Sequence, residues 1–296
     1  MGMQINTNLA ANNTYRNLNA TQNDLSKSLE KLSSGLRINR AADDAAGLSI
    51  SEGLRSQVGG LTVAARNAQD GISVVQTAEG GLTEVHSILQ RVRDLAVQAG
   101  NDSNNADARK AIGTEVTALT DELTRISAST NFNGINLLDA SAGAAGDGKM
   151  KFQVGAGSTA ASDQITVDLS KASIATLSTN LTAGFTDTDA ATTVYAKLDF
   201  SSAAGALESI KTIDSQIKAV STVRSELGAV QNRFEHSIAS TNVAKENLTA
   251  ANSRIRDVDM AEEMVKYTRS NVLSQAGQAM LAQANQSTQG VLSLLR

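Results

Sequence analysis

The sequence predicts a mainly α chain, with long helices from both chain ends paired antiparallel as a coiled-coil rod around a small β-hairpin-containing middle region. Three observations carry this. From Leu54 to Ala96 apolar residues recur at a mean step of 3.5, a repeat that keeps one stripe on a partner helix. A similar pattern returns from Leu207 to Ile238. The 296 residues contain no proline, where average usage of ~5% would give about 15, so nothing forces a kink in a long helix.

The elements follow in order. Leu18, Leu25, Leu29, Leu32 and Leu36 mark a first helix, stopped by Ser33-Ser34-Gly35. Asp43 and Asp44 restart the helical pattern as acids at a helix N-terminus, where they oppose the positive end of the dipole. The second helix carries Leu54, Val58, Leu61, Ala65, Ala68, Ile72, Val75, Ala78, Leu82, Val85, Leu89, Val92 and Ala96, and Gly100 stands where it should end. Gly59-Gly60 and Gly80-Gly81 weaken it by roughly 1 kcal/mol each against Ala, yet the period runs through both pairs. Asn101 to Asn105 is a turn. A third helix with Ile112, Val116, Leu119, Leu123 and Ile126 then runs back antiparallel. Asn133-Gly134 signals a type I′ hairpin.

Beyond Ala140 the texture becomes Gly, Ala and Ser loop. Lys151–Val154 and Gln164–Leu169 alternate as strands, with another expected over Val194–Phe200. The final helices carry Leu207, Ile210, Ile213, Ile217, Val220, Val223, Leu227, Val230, Phe234 and Ile238, followed by a capping-box variant at Asp259 and Glu262. A single long helix cannot bury its own stripe. The C-terminal heptads are the natural partners of the N-terminal ones, which brings both chain ends to one end of a rod.

Composition narrows the chemistry. Without cysteine there is no disulfide framework, thiolate metal site or thiol catalysis. Aromatics are 3% and the net charge is −4, which argues against a large enzyme core and against a basic nucleic-acid surface. No 18-residue apolar run spans a membrane. The N-terminus lacks the basic and apolar regions of a cleaved signal peptide. By those rules alone the chain is cytoplasmic, although they do not address a dedicated export route.

Charge is unevenly placed. No Lys, Arg, Asp or Glu occurs in 1–15 or 270–295, whereas eleven fall between Arg16 and Arg55. The last segment still carries helical apolar spacing through Val272, Leu273, Ala276, Met280, Leu281 and Ala284. Two readings stand: a solvated polar tail, or a helix packed on several sides, where unpaired charge is costly. They are compatible if the ends order only among copies.

Candidate chemistry is sparse. His86 and His236 are distant in sequence and no H-E-x-x-H occurs, so a zinc site lacks ligands. Gly155-Ala156-Gly157 begins like a dinucleotide fingerprint, but Ala160 stands at the third glycine, which leaves a turn. Asp43-Asp44 and Glu262-Glu263 read as caps. No catalytic, metal or cofactor site is expected.

Two groups of motifs carry a resemblance. Leu32-Ser33-Ser34-Gly35-Leu36-Arg37-Ile38-Asn39, followed by Ala42-Asp43-Asp44-Ala45-Ala46-Gly47-Leu48, is similar to the N-terminal signature of bacterial flagellin. Leu227 to Phe234, Gln275-Ala276-Gly277, Leu281 to Gln286 and the ending Val291 to Arg296 resemble its C-terminal region. The resemblance implies a structural subunit, not an enzyme, that self-assembles into the extracellular flagellar filament for motility. The alternative within the superfamily is the hook–filament junction protein. A flagellin carrying a metalloprotease insert is disfavoured by the short middle and the missing zinc motif.

By the same resemblance, 1–43 with 254–296 form a terminal coiled-coil domain in the filament core. Residues 44–177 with 203–253 form a helical rod with a β-hairpin region, and 178–202 is a short variable segment replacing outer domains. Ile5, Leu9, Leu18, Leu25, Leu29, Leu32, Val272, Leu273, Met280, Leu281, Leu292 and Leu295 are the candidates for filament-core packing. The segment Gln90–Gln98 resembles the helix that a vertebrate Toll-like flagellin receptor reads, which makes Arg91, Leu95 and Glu115 candidate contacts. Asp94 there is shorter than the Glu common in the family. Implied partners are other copies of the chain, the flagellar export apparatus, an export chaperone, the filament cap and hook-associated proteins. Export then proceeds without a cleaved signal peptide. Met1-Gly2 precede the family's typical start, which aligns with Met3.

Helix continuity does not explain why the loops also lack proline. A subunit that refolds at a growing tip benefits from having no X-Pro bond, whose isomerisation takes ~10–100 s. Ala144→Pro should therefore add a slow refolding phase that a prolyl isomerase accelerates. An unchanged single fast phase in stopped-flow refolding would contradict this reading.

Overall fold

The computed structural model describes residues 8–174, 198–200 and 202–294. Its elements are α1 (Leu9–Ser34), α2 (Ala45–Ala99), α3 (Ala106–Ser129), β1 (Asn131–Phe132), β2 (Ile135–Asn136), β3 (Lys149–Gln153), a single turn α4 (Ala160–Asp163), β4 (Gln164–Asp168), a 3-10 turn (Ser170–Ala172), α5 (Ala203–Arg256) and α6 (Met260–Leu294). The expected mainly α class holds, with two small antiparallel β pairs in the middle. The strand expected over Val194–Phe200 lies outside the described residues except for its last three, of which Leu198 and Phe200 are buried.

The chain divides into two compact units. One combines the described residues up to Val58 with those from Glu246 onward, and the other is Gly59–Lys245. In the second unit α2 is the central element. Its expected seam is buried without a break from Ala68 through Ile72, Val75, Ala78, Leu82, Val85, Leu89 and Val92 to Ala96. Val74, Leu95 and Ala99 add a second buried stripe, because neighbours lie on two sides. Against α3, Arg91 Nη2 meets Glu115 Oε1 at 2.6 Å and Arg109 Nε donates to Ala99 O at 3.3 Å. Against α5, Arg93 meets Asp214 at 2.6 Å and Glu79 meets Arg224 at 3.6 Å. In both pairs the residue numbers run oppositely, so α3 and α5 are antiparallel to α2. The ion pairs are largely exposed and contribute little; the apolar seam holds the unit together.

The turns follow their local chemistry. Asn105 caps α3 by accepting the Ala108 N–H at 2.8 Å. Asn133 (φ 51) and Gly134 (φ 78) both take the left-handed backbone that a two-residue I′ hairpin between β1 and β2 requires. The expected strands become β3 and β4, shifted by one or two residues and paired from Lys149↔Asp168 to Gln153↔Gln164.

The glycines inside α2 resolve into two kinds. A Cβ on Gly60 would lie 2.9 Å from Ala156 Cβ, one on Gly71 2.6 Å from Phe234 Cζ, and one on Gly81 2.7 Å from Leu138 Cδ1. Each is a notch that receives another element: the loop after β3, then α5, then the segment after β2. At Gly71, Phe234 also meets Phe152 of β3 edge-to-face, with centroids 5.6 Å apart. Gly59 and Gly80, by contrast, face open space.

Three expectations need correction. Leu207 is 62% exposed, and Ala206 is buried in its place. Ala206 Cβ lies near Gly100, 3.7 Å from where a Cβ would sit, so a small residue takes the inward position and its neighbour turns out. Glu262 does not complete a capping box by reaching back; it pairs with Lys266 at 2.8 Å. Asp259 alone caps α6, accepting from Ala261 N and Glu262 N at 2.9 and 3.2 Å. Asp43 is not a helix cap. It closes the turn before α2 by accepting from Asn39 N and Arg40 N at 3.1 and 3.0 Å, and the cap of α2 is Asp44, which accepts the Gly47 N–H at 2.8 Å.

The two kinds of glycine should respond oppositely to alanine. Gly59→Ala and Gly80→Ala should each raise the unfolding free energy by roughly 0.5–1 kcal/mol. Gly71→Ala should lower it by about 1–3 kcal/mol, because Phe234 must shift. Denaturant midpoints of the three variants check this, and a common sign would refute the notches.

Candidate assembly surface

Within the unit formed by the two chain ends, α1 and α6 pair antiparallel. Asn8 Nδ2 donates to Ala284 O at 3.0 Å, Leu18 Cδ1 lies beside Gly277, and Leu36 bridges Asp257. On α1 the seam is Leu18, Leu25 and Leu32, all half-buried, with Ser28 buried between them. On α6 the inward face is unexpectedly small and polar. Glu263, Ser274 and Gly277 are buried there, flanked by Ser270 and Leu281. A Cβ on Gly277 would come within 3.3 Å of Leu18, so the small residues set how closely α1 approaches.

Five of the larger apolar residues of α6 point the other way, Leu281 being the exception. Val272 is 59%, Leu273 53% and Met280 60% exposed, and Met264 and Val265 are similarly open. At 100° per residue these five occupy an arc of about 180°. On α1, Leu9, Tyr15 and Leu29 are exposed as well. A solvated helix normally carries charge on its outer face. Here none occurs from Ser270 to Leu294, so over that stretch the outer face is apolar and neutral polar, with Lys266 and Arg269 in the turn before it.

The junction between helices is tied by backbone. Arg37 N donates to Arg256 O at 2.6 Å and Val258 N donates to Gly35 O at 3.1 Å. Gly35 ends α1 in the left-handed conformation (φ 72), with its N–H on Lys31 O. Arg37 Nη2 donates to Ile255 O at 2.6 Å, and Arg256 Nη1 meets Glu52 Oε1 at 2.6 Å. The Arg40 and Asn39 backbone donors hold the Asp43 carboxyl below its usual range. Its pKa is lowered in the folded chain, so this turn is stabilised above the ordinary Asp range and loses that support as pH falls through the lowered pKa.

The structure therefore separates the candidate packing residues. Leu18, Leu25, Leu32 and Leu281 belong to the seam within the chain. Leu9, Leu29, Val272, Leu273 and Met280 face outward. Ile5 and Leu295 lie outside the described residues, and Leu292 falls in α6 where side chains are not described. Of the candidate receptor contacts, Arg91 and Glu115 are exposed and ion-paired at 2.6 Å. Leu95 is only 2% exposed, a core residue and not a surface one, because it joins the second buried stripe of α2. The small face of α6 and the backbone bridge at the junction escaped sequence reasoning. The run Ser270, Ser274, Gly277 at steps of four and three was the visible signal for the former.

The other candidates make no chemical site. His86 Nε2 lies 3.0 Å from Gln90 Nε2 on the same helix. Around Gly155-Ala156-Gly157, Gln153 Nε2 donates to the Gly155 and Gly157 carbonyls at 3.0 and 2.9 Å, so the loop is folded on itself. Among the described residues no group of three or more His, Cys, Asp or Glu could hold a metal ion, and no helix is long and apolar enough to cross a membrane.

Paired terminal helices with large apolar side chains exposed on the outer face, and no charge from Ser270 onward, define a class of protein whose chain ends are built to be covered by further protein. Comparison with known sequences places it within that class. The bacterial flagellin N-terminal helical region matches residues 5–143, and the bacterial flagellin C-terminal helical region matches 210–295. Flagellin of Halalkalibacterium halodurans is 50% identical over 294 residues, spanning 99% of this chain and 100% of that protein. Flagellin of Bacillus subtilis is 49% identical over 307 residues, with the same coverage. The flagellar filament 33 kDa core protein of Treponema phagedenis is 44% identical over 296 residues, again spanning 99% and 100%. The chain belongs to the bacterial flagellin family, and a flagellin is the structural subunit of the flagellar filament.

Proposed function

We propose that this chain is nearly all polymerisation core, and that its copies assemble through the outward faces of α1 and α6. The supporting observation is the exposed apolar set Met264, Val265, Val272, Leu273 and Met280, together with the absence of charge on the helix from Ser270 onward. Burying one such side chain completely is worth about 1.5–3 kcal/mol; with 52–60% of each still exposed, covering the five offers roughly 4–8 kcal/mol as an upper figure. Association costs on the order of 4–15 kcal/mol. One neighbour covering part of the arc does not suffice; several copies around the same helix do. Contacts of that kind are head-to-tail and non-closing, and they build a helical polymer.

In this reading residues 1–43 with 254–296 line the filament core and 44–177 with 203–253 form the helical rod domain with its β-hairpin region. The segment 178–202 stands where longer flagellins carry outer domains. The chain acts by assembly and catalyses no reaction. It leaves the cell through the flagellar export apparatus without a cleaved signal peptide, escorted by a chaperone, and joins a filament bounded by hook-associated proteins and a cap. Arg91 and Glu115 remain the surface residues through which a Toll-like receptor would read the rod.

Seeded polymerisation tests the assembly face. Wild-type protein should elongate sheared filament seeds into filaments visible by electron microscopy. The double variant Val272→Asp, Met280→Asp should keep the monomer's helical circular dichroism and raise the critical concentration at least about tenfold, since each carboxylate would be buried unpaired. A variant that elongates like wild type, or a wild-type protein that stops at a discrete oligomer, would overturn the proposal.

A further inference from the structure

All three methionines of α6 stand open in the single chain: Met260 is 49%, Met264 52% and Met280 60% exposed. Met264 and Met280 lie within the apolar arc, and Met260 stands beside it, one turn before Met264. By contrast Met150, in β3, is half-buried and packs against the core of the other unit. Exposed thioethers are the methionines that oxidants reach first, and oxidation turns a flexible apolar side chain into a polar, chiral one. We propose that Met260, Met264 and Met280 form an oxidation-sensitive site that makes the unassembled subunit incompetent to polymerise, and that assembly itself shields. This rests on the reading that copies cover the outer arc of α6.

The chemistry needs only hydrogen peroxide. A sulfur lone pair attacks one peroxide oxygen, the O–O bond breaks as the S–O bond forms, and the proton on the transferred oxygen passes to the departing hydroxide, which leaves as water. The thioether is oxidised by two electrons to the sulfoxide and the peroxide is reduced. The product places a strong hydrogen-bond acceptor on the apolar face that Val265, Val272 and Leu273 share. Burying it without a partner opposes the contact that the methyl thioether would have favoured. The step is reversible, since methionine sulfoxide reductases return each epimer to the thioether.

The test uses the full chain as monomer and as filament. Both are exposed to hydrogen peroxide, and the gain of one oxygen is mapped by peptide mass spectrometry. Met260, Met264 and Met280 should oxidise at least about tenfold faster in the monomer, while Met150 reacts alike in both. Oxidised monomer should elongate untreated seeds with a critical concentration raised about tenfold or more. Treatment with both epimer-specific reductases should restore elongation. The triple variant Met260→Leu, Met264→Leu, Met280→Leu keeps the apolar character of the face; whatever its own critical concentration, peroxide should leave that concentration unchanged. Oxidised wild type that elongates normally would overturn the proposal, as would a triple variant poisoned to the same extent or a failure of the reductases to rescue. If untreated wild type does not elongate seeds, the assembly reading fails and this one falls with it.

Discussion

The close pairing of α1 with α6 sets how the chain ends behave. A helix has one circumference to distribute. On α6 the side that meets α1 is given to Ser270, Ser274 and Gly277, which let the two backbones approach. The bulk of Val265, Val272, Leu273 and Met280 is thereby left on the opposite side. A soluble monomer would reverse this arrangement, with large residues inward and charged ones outward. The chain-end unit therefore leaves its large apolar residues exposed in the single chain, and the proposed assembly rests on that.

The unit Gly59–Lys245 is built on the opposite logic. There α2 buries two stripes against neighbours on two sides, and its glycines at 60, 71 and 81 receive Ala156, Phe234 and Leu138. Its apolar residues are mostly satisfied within the chain, and its surface carries ion pairs such as Arg93 with Asp214 and Lys171 with Glu226. In the proposed assembly this unit is satisfied within the chain, and the chain-end unit is the one that neighbours complete. Proline-free loops suit such a chain, because no slow isomer has to be sorted before the ends are captured.

Much of this was legible in the sequence because helical period is a local signal. The seam from Ala68 to Ala96 and the stop at Gly35 needed only spacing and cap chemistry, and the Asn133-Gly134 turn needed only its two residues. What escaped depends on who the neighbour is. Leu207 fits the period of α5, yet Gly100 leaves room only for a small inward residue and Ala206 takes it. Gly60 and Gly80 look identical in sequence; one holds Ala156 and the other faces open space. Leu95 sits in a helix segment similar to a receptor-read surface, but the second buried stripe of α2 claims it. For the assembly face, the uncharged stretch after Ser270 was readable, but which of its apolar residues face inward was not. Val272, Leu273, Met280 and Leu281 all fit helical spacing, and only the position of α1 divides them.

A helical reconstruction of the filament by cryo-electron microscopy tests the central claim most directly. Val265, Val272, Leu273 and Met280 should be covered by neighbouring copies, while Leu18, Leu25 and Leu281 remain on the seam within each chain. Finding the outer arc of α6 facing open solvent, or finding the α1–α6 seam opened and exchanged between copies, would contradict it.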